Sequence, residues 1–155
     1  DTGNCFIKKY NQKGELLKQF GSKGSGDGQL QEPVGLTVDN EENIVVADTW
    51  NQRVQRFKPD GTFLDKFDVP GWYGNNIREP YLTIDSSDKL YLTDSSQEKI
   101  LIYELKGAKL VSVLTTKSAM GKMSAPVGIA WNEKDKKLII SDFNGNSLQI
   151  IDLKQ

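Results

Sequence analysis

Apolar residues along the chain fall in short β-branched or aromatic runs, and the gaps between runs are filled by Gly, Asn, Asp, Ser and Lys. Runs of this length, punctuated by turn formers, predict strands joined by reversals, and helical periodicity is absent. The runs also repeat. Pro33-Val-Gly-Leu-Thr-Val-Asp39 recurs as Pro80-Tyr-Leu-Thr-Ile-Asp85 and as Pro126-Val-Gly-Ile-Ala-Trp-Asn132, at spacings of 47 and 46 residues. Val45-Val-Ala-Asp48 is answered by Tyr91-Leu-Thr-Asp94 and Ile139-Ile-Ser-Asp142, with Asp1 in phase 47 residues before Asp48. Aligned on these aspartates, Ile7, Val54, Ile100 and Leu148 share one apolar position, and Tyr10, Phe57, Tyr103 and Ile151 share another.

In the second unit the pattern places strand a at Gly35–Val38, strand b at Ile44–Ala47, strand c at Val54–Phe57 and strand d at Phe63–Phe67. Lys58-Pro-Asp-Gly61 between c and d has the Pro, Asp and Gly of a tight reversal. Units of about 45 residues with four strands each are the blade signature of a β-propeller. A lone twisted sheet would leave two apolar faces wet, so each blade needs a neighbour, and runs such as Ile44–Ala47 are continuously apolar for that reason. The expected fold is therefore all-β: four-stranded antiparallel blades in an incomplete ring. The expected blades are 1–32 (strands c and d), 33–79, 80–125 and 126–155 (strands a to c).

Val46-Ala-Asp48-Thr-Trp-Asn51-Gln-Arg53-Val-Gln-Arg-Phe57 followed by Gly61, together with Phe20-Gly21 through Gly28-Gln-Leu-Gln-Glu-Pro33, resembles the NHL repeat. The motif weakens along the chain, because Gln97 and Gly145 replace the Asn three residues after the corner aspartate. At about 47 residues per blade the chain makes roughly 3.3 blades, fewer than the four to eight of closed propellers. It is thus expected to be a segment of a larger propeller, or a partial ring completed by blades from the same or another chain. Pro70-Gly-Trp-Tyr73 through Asn76 and Pro80–Asp94 are also similar to NHL segments attached to bacterial membrane proteins of the glycosyltransferase type. That similarity implies a bacterial, extracytoplasmic setting (periplasmic, secreted or cell-surface).

Charge and chemistry narrow the function. Twenty basic residues against 21 acidic give a net charge of −1, which argues against a nucleic-acid partner. The NHL resemblance alone would allow single-stranded RNA on a basic face, but Glu15, Glu133 and Asp135 dilute the lysine clusters. No apolar run approaches the roughly 18 residues of a membrane span, so membrane insertion is not expected. The absence of His removes His-based triads and the commonest metal ligand, and a single Cys5 excludes an internal disulfide. Asp1, Asp48, Asp94 and Asp142 recur at one repeat position, as a structural corner requires: the carboxylate accepts turn N–H groups while the following Asn tolerates a left-handed conformation. Gly21–Gly28 lacks the P-loop ending and the spaced EF-hand carboxylates, and reads as a flexible connection.

The b–c corners and the long connections Gly21–Glu32 and Asp68–Glu79 emerge on one propeller face. Trp50, Asn51, Trp72, Tyr73, Asn75 and Asn76 lie in this set and are the candidate residues for a protein or glycan partner. Leu148, Ile150 and Ile151 form a candidate assembly edge. The expectation is a non-enzymatic binding or assembly module with no catalytic residues, metal or cofactor. Two alternatives accompany it. One is a metal-dependent, lactonase-like hydrolase, for which Asp39, Asp85 and Asn132 are the comparable positions; the other is an extracytoplasmic domain accessory to a membrane glycosyltransferase.

Overall fold

The computed structural model describes residues 1–72, 80–115 and 123–153, and the chain forms two compact units, Asp1–Gly74 and Asn75–Gln155. Unit 1 contains a two-stranded sheet, β1 (Ile7–Tyr10) and β2 (Leu16–Phe20), and a four-stranded sheet of β3 (Pro33–Val38), β4 (Ile44–Asp48), β5 (Arg53–Phe57) and β6 (Phe63–Asp68) in sequential order. In unit 2, β7 (Leu82–Ile84), β8 (Lys89–Asp94), β9 (Lys99–Glu104) and β10 (Lys109–Thr115) make a second four-stranded sheet. A three-stranded sheet of β11 (Pro126–Asn132), β12 (Lys137–Asp142) and β13 (Ser147–Asp152) completes it. Every pairing between named strands is antiparallel and joins neighbours in sequence, which is the up-and-down meander of a propeller blade.

The repeated sequence markers become repeated backbone features. Pro33-Val-Gly and Pro126-Val-Gly both open an innermost strand with a register shift, between Pro33 and Leu36 and between Pro126 and Ile129. A glycine inside a strand run marks such a bulge, and at Gly128 a Cβ would sit 2.9 Å from Ser141 Oγ. Asp39 ends its strand by accepting from the backbone N–H groups of Glu41 (3.0 Å) and Asn43 (2.8 Å), and Asp85 does the same for Ser87 (2.8 Å) and Lys89 (3.0 Å). These are Asx turns, in which a side chain stands in for a turn carbonyl.

Within each unit the sheets pack face to face. In unit 1, Ile7 and Cys5 meet Val46, Phe57 and Leu30, with Phe20 and Phe63 closing the edge. In unit 2, Tyr91, Ile100 and Ile102 meet Leu138, Ile140 and Met123, and Trp131 stacks on Tyr91 with centroids 5.6 Å apart. A hydroxyl hooks each pair of sheets together. Thr2 Oγ1 donates to the Pro33 carbonyl at 2.8 Å, and Ser95 Oγ, one residue after the equivalent aspartate, donates to the Pro126 carbonyl. The burial of both faces of β8, where five of six residues are buried, is why its sequence is apolar without alternation.

Candidate functional site

The corner after each second strand carries the chemistry, and its aspartates come first. Asp48 is fully buried. Its Oδ2 accepts from Arg53 Nε (2.7 Å), Asn51 Nδ2 (2.9 Å) and Gln55 Nε2 (3.0 Å), and its Oδ1 from the Gln31 backbone N–H (2.7 Å). Asp142 accepts from the N–H groups of Ser124 (3.0 Å), Ala125 (2.9 Å) and Gly145 (3.1 Å). Burial pushes the Asp142 carboxyl up, but these donors and the Ser124 hydroxyl outweigh it and hold the group below the usual carboxylate value.

One contact is common to all four corners. The residue three positions on donates to the carboxylate: Asn4 and Asn51 through side-chain amides at 2.9 Å, Gln97 and Gly145 through backbone N–H groups at 3.1 Å. The corner therefore survives the loss of Asn in unit 2. The left-handed residue is not the Asn, as the sequence suggested, but the next one: Cys5, Gln52, Glu98 and Asn146, with φ between 46° and 58°. Asn is used at the corner for its amide donor.

Around Asp48 the corner is elaborated into a latch. Arg53, 4% exposed, donates through its guanidinium to the carbonyls of Ser25 (2.8 Å), Gly26 (2.9 Å) and Gln29 (2.8 Å) while paired with Asp48. Gln55 donates to the Gln29 carbonyl (2.5 Å) and accepts from the Gly28 N–H (3.1 Å), and Asn51 donates to the Gly24 carbonyl (2.9 Å). Leu30 is buried below them. The Gly21–Glu32 connection, which composition alone would leave flexible, is thus tied along its length to β5 and the corner.

At the rim of this latch stands Trp50. Its backbone N–H donates to the Gln31 carbonyl at 3.3 Å and its indole N–H to the Glu32 carboxylate, yet 40% of the residue is exposed. An aromatic ring held from both ends with an open side is a rigid anchor. Glu32, Arg53 and Gln55 complete this arrangement and were not candidate site residues in the sequence; Gln55 recurs as Gln149 at the same repeat position, so nothing in the repeat marks it.

The other predicted site residues fare differently. Asn51 is half-buried and its amide is spent within the corner. Trp72 is a correction: it is 2% exposed, and its indole nitrogen is buried with no hydrogen-bond partner among the described residues, so it is interior filler and not a binding platform. Tyr73, Asn75 and Asn76 lie outside the described residues. On β13, Leu148 and Ile150 are 70% and 64% exposed, whereas Ile151 points to the opposite face and packs on the unit 2 core. Ile151 therefore belongs to the packing between sheets, not to the outer face, because side chains alternate along a strand.

The positions comparable to a metal cage are occupied by turn bonds. Asp39 Oδ2 accepts from Asn43 Nδ2 (3.0 Å), Asp85 Oδ2 from the Tyr91 hydroxyl (3.0 Å), and Asn132 Oδ1 from the Asp135 N–H (3.2 Å). Among the described residues no group of three or more His, Cys, Asp or Glu side chains is placed to hold a metal ion, and no helix is long and apolar enough to cross a membrane.

Repeated antiparallel sheets, each closed by the same aspartate corner, define the class: the chain is a run of β-propeller blades. Solved structures agree on the fold. It resembles virginiamycin B lyase from Staphylococcus aureus with a TM-score of 0.71 at 20% identity, covering 98% of this chain and 47% of that one. A streptogramin B lyase structure matches with a TM-score of 0.68 at 22% identity over 99% of this chain and 50% of that one. At such identities the likeness shows the fold alone.

Residues 30–57 match the NHL repeat, so the run of propeller blades includes a repeat of that family. It is 50% identical over 54 residues to protein lin-41 of Caenorhabditis elegans, 35% of this chain and 5% of that protein. It is 46% identical over 59 residues to the E3 ubiquitin-protein ligase TRIM71 of Rattus norvegicus, 38% of this chain and 7% of that protein. Protein brain tumor of Drosophila melanogaster is 28% identical over 158 residues, which is 90% of this chain and 15% of that protein. The chain thus spans a small fraction of the length of these relatives. All three are animal proteins, so they lend no support to the bacterial, extracytoplasmic setting, and they do not support the exclusion of nucleic acid read from charge.

Proposed function

We propose that this chain is a non-enzymatic protein-binding module whose contact face is the latched connection and corner of unit 1, with Trp50 as the anchor. The observation that carries this reading is the fixing of Trp50 by Gln31 and Glu32 while its ring stays exposed. A large ring whose rotamer is already held loses little entropy when a partner covers it, which is what makes aromatic hot spots strong. The similarity to a ubiquitin ligase supports the reading, because a ligase that modifies proteins needs a surface that holds another protein. The turn-bound carboxylates at Asp39 and Asp85 favour it over a hydrolase.

The test is affinity capture from animal-cell extract with the wild-type chain and with Trp50→Ala, followed by reconstitution with each purified protein recovered and by a glycan array and RNA sequencing on the same samples. Reconstituted protein binding should weaken at least about tenfold in Trp50→Ala, the loss expected for an aromatic anchor, with the melting temperature within a few degrees of wild type. Capture of only glycans or RNA, or equal protein binding by both chains, would refute it.

A further inference from the structure

The ring at the rim of the latch has a full negative charge fixed at its edge. The residue before the proline that opens an innermost strand is Glu32, Glu79 or Ala125, and the position two residues after the corner aspartate holds Gly3, Trp50, Ser96 and Asn144. Carboxylate and indole therefore coincide once in this chain.

The backbone is turned to bring them together. Ala125 is buried and gives its N–H to the corner carboxylate of Asp142 at 2.9 Å. At the matching place Glu32 is exposed and left-handed, with φ of 51°, and the corner carboxylate of Asp48 takes its N–H from Gln31 at 2.7 Å. A residue with a Cβ adopts that conformation at a cost, and such strain persists only where the surroundings impose it. Here two bonds do so: the Gln31 carbonyl accepts from the Trp50 backbone N–H, and Glu32 Oε2 accepts from the indole N–H. A carboxylate has about four acceptor sites, so the indole leaves Glu32 able to accept from outside. Arg53, the cation of the latch, is buried and committed to Asp48 and to the carbonyls of Ser25, Gly26 and Gln29.

Deepening the reading of Trp50 as the anchor, on which this inference rests, we propose that the corner recognises an arginine side chain of the protein partner, its guanidinium lying over the indole and donating to Glu32. The chemistry selects this occupant. An indole face attracts a cation more strongly than the other aromatic rings do. A planar guanidinium also stacks on the ring and offers N–H groups in a fork that matches a carboxylate, which the compact, strongly hydrated ammonium of lysine does not. An apolar partner group would cover Glu32 without supplying a donor. Nucleic acid fits less well, although the exposed Lys23 lies on the same connection: a base stacked on Trp50 would bring its phosphates toward the carboxylate that is bonded to the ring.

The probe is the peptide acetyl-Gly-Ser-Arg-Ser-Gly-amide, with copies carrying citrulline or lysine in place of arginine. Each is titrated into the full chain while the indole N–H resonance of Trp50 is followed, and Trp50→Ala identifies that resonance by its loss. The arginine peptide should shift it saturably with a Kd of the order of 1 mM. Citrulline keeps the shape and removes the charge, and should bind at least about tenfold more weakly, with lysine in between. Glu32→Gln keeps an acceptor for the indole N–H and removes the charge, so it should weaken the arginine peptide at least about tenfold while the melting temperature stays within a few degrees of wild type. No shift at about 20 mM peptide, equal binding of the citrulline peptide, or indifference to Glu32→Gln would overturn the proposal. So would an oligouridylate that shifts the same resonance at lower concentration than the arginine peptide and binds better to Glu32→Gln, since the occupant would then be nucleic acid. A reconstituted protein partner that is weakened by Trp50→Ala but not by Glu32→Gln would overturn this inference alone; one indifferent to both would overturn the anchor reading with it.

Discussion

Replacing Arg53 by Met is the sharpest test of how the latched connection is held. Arg53 is 4% exposed and Asp48 is 0% exposed, so the pair is removed from water on both sides. The substitution keeps most of the apolar stem but leaves the carbonyls of Ser25, Gly26 and Gln29 without their guanidinium donor and Asp48 without its countercharge. Asp48 keeps its bonds from Gln31, Asn51 and Gln55, which soften the loss. Removing one member of a buried, hydrogen-bonded pair costs about 3–5 kcal/mol, because the other charge stays uncompensated. For a chain of this size that is about 10 °C in melting temperature. Urea unfolding read by tryptophan fluorescence gives the free energy, and amide exchange gives the location. The N–H groups of Gly24 and Leu30, bonded to the Leu30 and Ser22 carbonyls, should lose protection before those of β5. The double variant Arg53→Met with Asp48→Asn should be less destabilised than the sum of its parts, since it carries no buried charge. A change below about 0.5 kcal/mol in Arg53→Met, the range of ordinary surface substitutions, would refute the reasoning.

Three further outcomes follow from the repeat. Gly14, Gly61 and Gly107 sit at the same turn with φ of 80°, 84° and 87°, but only at Gly61 would a Cβ collide, 2.7 Å from the Phe20 ring. Alanine at 14 or 107 should cost about 1–2 kcal/mol for the left-handed backbone, and alanine at 61 distinctly more, as measured by urea unfolding. The depressed Asp142 carboxyl contributes stability that is present above its unfolded value of 3.8 and lost as pH falls through its lower folded value. Asp142→Asn should therefore flatten the acid limb of a stability-against-pH curve below about pH 4 without changing its shape near neutrality. Tyr91→Phe removes a 3.0 Å hydroxyl bond to Asp85 but keeps the ring stacked on Trp131, so it should cost about 1–2 kcal/mol with the near-ultraviolet circular dichroism of the pair retained.

The blade repeat was legible because it rests on local rules. β-branched runs make strands, a glycine after each third strand makes the reversal at Gly14, Gly61 and Gly107, and both recur often enough along this chain to fix the period. The second unit's strands came out one or two residues longer than read, with β3 reaching back to Pro33 and β5 to Arg53, because the bulge and the corner bonds recruit flanking residues. What the sequence hid is what depends on partners far along the chain. Arg53 gives no sign of reaching carbonyls 24 to 28 residues before it. Asn51 was read for backbone tolerance when its use is as a donor, two properties that the same side chain offers and that only geometry separates.

The corners also show how structure and function are sorted within a repeat. The aspartate, its donor three residues on and the left-handed residue after that obey the period in all four copies, and they close the turn whether the donor is a side chain or a backbone N–H. Between them, the position two residues after the aspartate is unconstrained and holds Gly3, Trp50, Ser96 and Asn144. The position five residues after it holds Phe6, Arg53, Lys99 and Ser147. Unit 1 has filled both, with an arginine that secures a neighbouring connection and a tryptophan that this connection then holds in place through Gln31 and Glu32. Positions that obey the period carry the fold, and those that break it are where a binding surface has room to form.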